Sequence, residues 1–229
     1  MRRALAAFGA AALLLLIIAG PAAPEGRIVI HGAETGTHLR LSVSGGDLLV
    51  SGPMAEASEG CELAGGNGAT CPLGDIGQVE VDTGPAEDKV EVLSRLPVPL
   101  IAYLGAGSDK LIGNDEPDSC HPQGTPRNRC IGNSGDDICI AAPVNTDCVG
   151  GRGNDICRTS DGSDGCWGGP GNDFCSMGAG QDGCHGEGGD DRLYGEGGDD
   201  RLYGGDGRDY CDGAPDPGRS QACEAGPQR

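Results

Sequence analysis

The chain has 229 residues, of which 44 are glycine and only 3% aromatic; glycine at about a fifth of the chain, against a usual ~7%, excludes a large conventional hydrophobic core. Acidic residues outnumber basic ones 35 to 16, for a formal charge of −19, which disfavours nonspecific binding to nucleic acid or to an anionic membrane and makes cations the natural partners. The 12 cysteines exceed what a reducing compartment usually tolerates without metal, so the compartment has to be read before they are.

Residues 1–23 read as a secretory signal peptide. Met1-Arg2-Arg3 is a short basic start, an apolar run follows from Ala4 to Ala19, and Gly20-Pro21-Ala22-Ala23 offers small residues for cleavage. An uncleaved N-terminal anchor is the competing reading, although the run is slightly short for a span. No later segment is apolar enough to cross a bilayer, so the mature chain is expected to be soluble, secreted and not membrane-inserted.

From residue 24 to 103 the texture is β-rich. Runs such as Arg27-Ile28-Val29-Ile30-His31, His38-Leu39-Arg40-Leu41-Ser42-Val43 and Gln78-Val79-Glu80-Val81-Asp82 alternate between apolar and polar residues and are broken by glycine-rich turns, the pattern of half-buried strands. Cys61 and Cys71 bracket a glycine-rich loop that a local disulfide can close.

From Leu104 to Asp212 the sequence repeats itself every nine residues. The windows GNSGDDICI, AAPVNTDCV, GGRGNDICR, TSDGSDGCW, GGPGNDFCS, MGAGQDGCH, GEGGDDRLY, GEGGDDRLY and GGDGRDYCD run from Gly132 without an insertion, and the frame extends backward to Leu104 with one extra residue at Pro122. Sustained periodicity of this kind marks a solenoid, whose units bury surface only by stacking on one another. Residues 213–229 then read as a cap or tail.

These windows resemble the G-G-x-G-x-D-x-U-x nonapeptide of RTX proteins, the hemolysin-type calcium-binding repeats. The resemblance implies an all-β chain folded as a parallel β-roll (β-solenoid), with calcium ions as cofactor and the β-rich N-terminal segment running into the roll. It implies that six residues of each window form a loop and three a strand, and that loops alternate between two edges. One edge then carries Asp137, Asp155, Asp173, Asp191 and Asp209, the best ligand candidates. The other carries Asp164, Asp182 and Asp200 on poorer loops, with Thr146 where an aspartate is expected. Asp109 and Asp118 sit in isolated loops, where turn geometry explains them as well as a metal does.

Elementary physics supports the assignment. Parallel stacking brings equivalent carboxylates to about 4.8 Å of one another, a repulsion that a hard divalent ion turns into coordination through carboxylate and carbonyl oxygens. Glycine allows the left-handed backbone that aims those carbonyls inward. A turn-rich solenoid keeping glycine and aspartate for turns alone is the alternative, but it leaves aspartate at the sixth place unexplained.

The eighth place of the nonapeptide, which in the family points into the roll as a large aliphatic residue, is here mostly cysteine. Neighbours nine apart would face each other across the roll, giving Cys139–Cys148, Cys157–Cys166 and Cys175–Cys184, completed by Cys61–Cys71, Cys120–Cys130 and Cys211–Cys223. Pairing eighteen apart along one sheet remains an alternative, disfavoured because a strand spacing of about 4.8 Å exceeds the Cβ separation a disulfide prefers. A thiolate zinc or copper site is the functional rival, although zinc sites favour closer spacings.

The chain has no H-E-x-x-H, no G-x-S-x-G and no phosphate-binding glycine loop, and His185 reads as a surface residue. The sequence therefore points to a secreted calcium-binding protein with a structural or interaction role and no enzymatic activity. The alternative is an exported enzyme or toxin accessory with a site in the β-rich N-terminal region. Unlike type I-exported members of the family, the chain looks like a general-secretion client, so pore formation and type I export are not carried over.

Overall fold

A computed structural model describes residues 26–65, 67–74, 76–124, 127–213 and 223; the expected signal peptide and most of the expected tail lie outside the described residues. Every regular element among the described residues is a β-strand. Apart from one two-stranded pair, the strands form two long sheets, one ten-stranded and one eleven-stranded, and from Gln78 onward they fall alternately in one and then the other. Each circuit of the chain thus adds one strand to each sheet, which is the winding of a parallel β-solenoid.

The register follows the repeat. Ile138, Cys139 and Ile140 lie beside Ile156, Cys157 and Arg158, which lie beside Phe174, Cys175 and Ser176. The facing sheet aligns Cys130 with Cys148, Cys166, Cys184 and Leu202 in turn. Three-residue strands bury only their central side chain, as in the buried Cys157 of Ile156–Arg158, because side chains alternate across a sheet. A short nonapeptide can therefore supply one core residue and still be folded, provided its neighbours complete the layer.

The strands of residues 27–104 belong to the same two sheets. Arg27–Gly32 pairs in parallel with Gln78–Asp82, which pairs with Leu100–Leu104, while His38–Ser44 pairs with Lys89–Val92 and that strand with Lys110–Ile112. Here the interior is aliphatic, with Ile28, Ile30, Leu39, Leu41, Val79, Val81, Val90 and Leu100 buried. The N-terminal end of the roll is covered by antiparallel strands. His38–Ser44 turns back through Gly45-Gly46, both at positive φ, into Asp47–Ser51, which pairs with Gly68–Pro72. A two-residue turn of this kind matches the twist of a hairpin, and the added strands shield backbone groups that an open edge would leave unpaired. The disulfide Cys61–Cys71 fastens this cap.

Across the interior, Cys120–Cys130 and Cys139–Cys148 join the two sheets, and Cys211–Cys223 ties the last strand to the chain beyond it. The expected pairs Cys157–Cys166 and Cys175–Cys184 are not closed: all four are buried free thiols. The physical reason is shared contact. The sulfur atoms of Cys157, Cys166 and Cys175 all lie within 4.8 Å of one another, so the Cys166 sulfur is not committed to one partner across the core. No helix among the described residues is long and apolar enough to cross a membrane.

Candidate metal centre

Each loop begins where a strand leaves the sheet and ends on the aspartate that precedes the next strand. On one edge the Oδ1 of that aspartate accepts the backbone N–H of the equivalent residue one turn earlier: Asp118 to Asp137 at 2.7 Å, Asp137 to Asp155 at 2.7 Å, Asp155 to Asp173 at 2.7 Å, Asp173 to Asp191 at 2.7 Å and Asp191 to Asp209 at 3.0 Å. The other edge repeats the device, with Thr146 N–H donating to Asp164, Asp164 to Asp182 and Asp182 to Asp200. One carboxylate oxygen per loop is thus occupied in stitching turns together.

The second oxygen is not. The Oδ2 atoms of Asp137, Asp155, Asp164, Asp173, Asp182, Asp191, Asp200 and Asp209 are buried and accept no hydrogen bond, and none of these residues is more than 6% exposed. An unpartnered buried carboxylate oxygen is expensive, so eight in two ordered rows point to a cation. Burial raises the pKa of seven of them, Asp137 to about 8, Asp173 and Asp182 to about 7, Asp155 and Asp191 to about 6, with Asp164 and Asp200 also raised; at Asp137, Asp173 and Asp182 the aspartates above and below add their like charge.

The first glycine of the loop makes room for the charge. A Cβ built on Gly132 would fall against the Asp137 carboxylate and 2.7 Å from the Gly150 carbonyl oxygen; one on Gly186 would meet the Asp191 carboxylate and lie 2.6 Å from the Gly204 carbonyl. Each such recess is therefore lined by a carboxylate oxygen of its own turn and a backbone carbonyl of the next. The oxygen-only donor set, the orphaned charge and the space that only glycine leaves all fit Ca²⁺, a hard ion that takes carboxylate and carbonyl oxygens. Bound there, calcium would supply positive charge to rows of carboxylates that otherwise repel one another.

The second edge is more extended than the sequence reading allowed, and interrupted. Asp88, which the sequence reading missed, has an Oδ1 that accepts the Thr37 N–H and an orphaned buried Oδ2; Asp109 receives the Asp88 N–H and is likewise orphaned at Oδ2. Next in this row stand Asn128, whose Nδ2 donates to the Gly124 carbonyl, and Thr146, whose hydroxyl donates to the Val144 carbonyl. These neutral side chains satisfy themselves within the loop and split the row in two. Asp118 also separates from the ligand candidates, because its Oδ2 accepts the Asn114 N–H at 2.7 Å. The signal for Asp88 was present in Asp88-Lys89-Val90, an aspartate two places before an inward apolar residue.

Outside the recesses, His185 stacks between Trp167 and Tyr203, with ring centroids 6.2 Å and 4.7 Å away. Its place on the outer face of the sheet agrees with the surface role read from sequence.

A parallel solenoid with oxygen-lined recesses along its edges defines the class of calcium-roll proteins. Comparison of sequence families then gives the particular repeat: residues 149–175 and 185–216 match four copies of the RTX calcium-binding nonapeptide repeat. No curated protein and no solved structure matches the chain.

Proposed function

We propose that the chain is a secreted structural protein, without enzymatic activity, whose roll is completed by external calcium and held by cross-core disulfides. The observation that carries this reading is the double row of buried Oδ2 atoms without a partner. In the extended chain these carboxylates are apart and hydrated; in the roll they converge with carbonyls of the next turn. Calcium therefore has its sites only in the folded form, and its concentration sets stability by mass action. Secretion is supported by the basic-apolar-small pattern at the N-terminus and by the disulfides, which persist in oxidising surroundings.

The test is circular dichroism of the full oxidised chain, titrated with calcium and with a chelator, beside calorimetric calcium binding. A β signal and melting temperature that rise together with calcium are expected. Identical spectra and melting with and without calcium, and no heat of binding, would overturn the proposal.

A further inference from the structure

Between the closed Cys139–Cys148 pair and the buried Leu193 and Leu202, the interior of the roll holds only sulfur as its inward layer. Cys157 and Cys175 are neighbours in register in one sheet, and Cys166 and Cys184 in the facing sheet, so the four thiols stand at the corners of a quadrilateral spanning the core. The sulfur atoms of Cys157, Cys166 and Cys175 all lie within 4.8 Å of one another. Cys184 stands beside Cys166 in register, outside that trio, and the Met177 Sδ lies 2.9 Å from the Cys175 Sγ as a fifth sulfur.

We propose that this layer is a second, chemically distinct metal site, which binds a thiophilic d¹⁰ cation, Cu(I) or Zn(II), through Cys157, Cys166 and Cys175 with Cys184 completing the set. Soft thiolate and thioether donors select these ions, whereas the oxygen-lined recesses at the edges select calcium; neither site suits the other's ion. On binding, each ligating S–H breaks heterolytically, its proton passes to solvent, and no electron is transferred. Because the layer is buried on both sheets, loading accompanies closure of the roll, as is general where metal binding and folding are coupled.

The experiment refolds the full chain anaerobically in a glutathione redox buffer with saturating calcium, in parallel with Zn(II), Cu(I) or Co(II) or with no added metal, then removes excess ion. Metal retained per chain, the thiolate-to-metal charge-transfer absorption and the alkylation map of the cysteines are read together. About one Zn(II) or Cu(I) per chain is expected, with tetrahedral thiolate absorption in the Co(II) arm and protection of the four thiols until a chelator is added. The Zn(II) and Cu(I) arms decide which ion is held more tightly. The paired variant Cys157→Ser/Cys175→Ser should lose the retained metal and keep the calcium-induced β signal; if it fails to fold, the wild-type cobalt spectrum remains decisive. Mapping of Cys157–Cys166 and Cys175–Cys184 disulfides in the metal arms, free thiols that retain no metal, or equal retention by the serine variant would each overturn the proposal. Calcium-induced folding is read separately, so failure of the sulfur site is distinguishable from failure of the calcium reading.

Discussion

Asp173→Asn is the sharpest perturbation of the calcium reading, because the roll already contains its product. Asn128 occupies the same loop position on the other edge, where its Oδ1 accepts the Asp109 N–H at 2.9 Å and its Nδ2 donates to the Gly124 carbonyl at 2.8 Å. Asparagine at 173 can keep the bond to the Asp155 N–H and turn its amide toward Gly169, the glycine in the place of Gly124. Without calcium the variant should therefore be at least as stable as the parent, since a buried charge and its repulsion from Asp155 and Asp191 are removed. With calcium it should lose the recesses on either side of it. Each site filled at a hundred times its dissociation constant contributes about 2.7 kcal/mol, so losing one or two removes about 3–5 kcal/mol. In a chain of this size that is about 5–20 °C of the calcium-induced rise in Tm. Thermal melts of both proteins in chelator and in saturating calcium measure it. A variant destabilised equally in both conditions would show that Asp173 serves the hydrogen-bond ladder alone and would refute the reasoning.

Three further outcomes follow from the loops. Because Asp137, Asp155, Asp173, Asp182 and Asp191 have raised pKa values in the folded roll, their contribution to stability is full below the unfolded value of about 4 and lost as pH rises through about 6 to 8. The chelated protein should thus melt higher at about pH 5 than at about pH 8, the calcium-induced gain should be larger at the higher pH, and calcium binding at neutral pH should release protons, seen as a buffer-dependent heat. Gly186→Ala places a methyl group where the Asp191 carboxylate and the Gly204 carbonyl converge, and should cost about 1–3 kcal/mol while abolishing the calcium response of that loop in melts with and without the ion. Glu187 is held at φ 77°, a left-handed conformation that disfavours a side chain by about 1–2 kcal/mol; Glu187→Gly should raise stability by about 1 kcal/mol after glycine's own entropy, measured by denaturant unfolding in calcium.

The repeat frame was legible because the eighteen-residue circuit is unbroken from Gly132 onward, and the eight aspartates read from it all stand in one structural situation, with one oxygen stitched and one orphaned. Upstream the frame is obscured by length. Asp88 and Asp109 are 21 residues apart rather than 18, and the loop before Asp88 opens on Thr83 with a single glycine at Gly84, so neither period nor composition flagged it. Aliphatic strands tolerate such extra residues because their buried side chains hold the turn without help from the loop. The fate of the cysteines was half legible for a different reason. Sequence spacing is the same for Cys139–Cys148 and Cys157–Cys166, and only the three-dimensional arrangement shows Cys166 shared between Cys157 and Cys175. Asp109 and Asp118, equivalent in sequence, separate only through Asn114, whose N–H reaches one and has no counterpart at the other.

The carboxylate ladder gives the roll a direction. Every loop amide along the first edge is capped by an aspartate that lies 18 or 19 residues further toward the C-terminus, so no turn is complete until the next one has been laid against it. A chain appearing N-terminus first must hold each loop unfinished for a full circuit, and a roll shortened from its C-terminal end always exposes one uncapped amide at the cut. Growth is therefore directional: among the described residues the N-terminal end is sealed by antiparallel strands, and each later loop is finished only by the one that follows it.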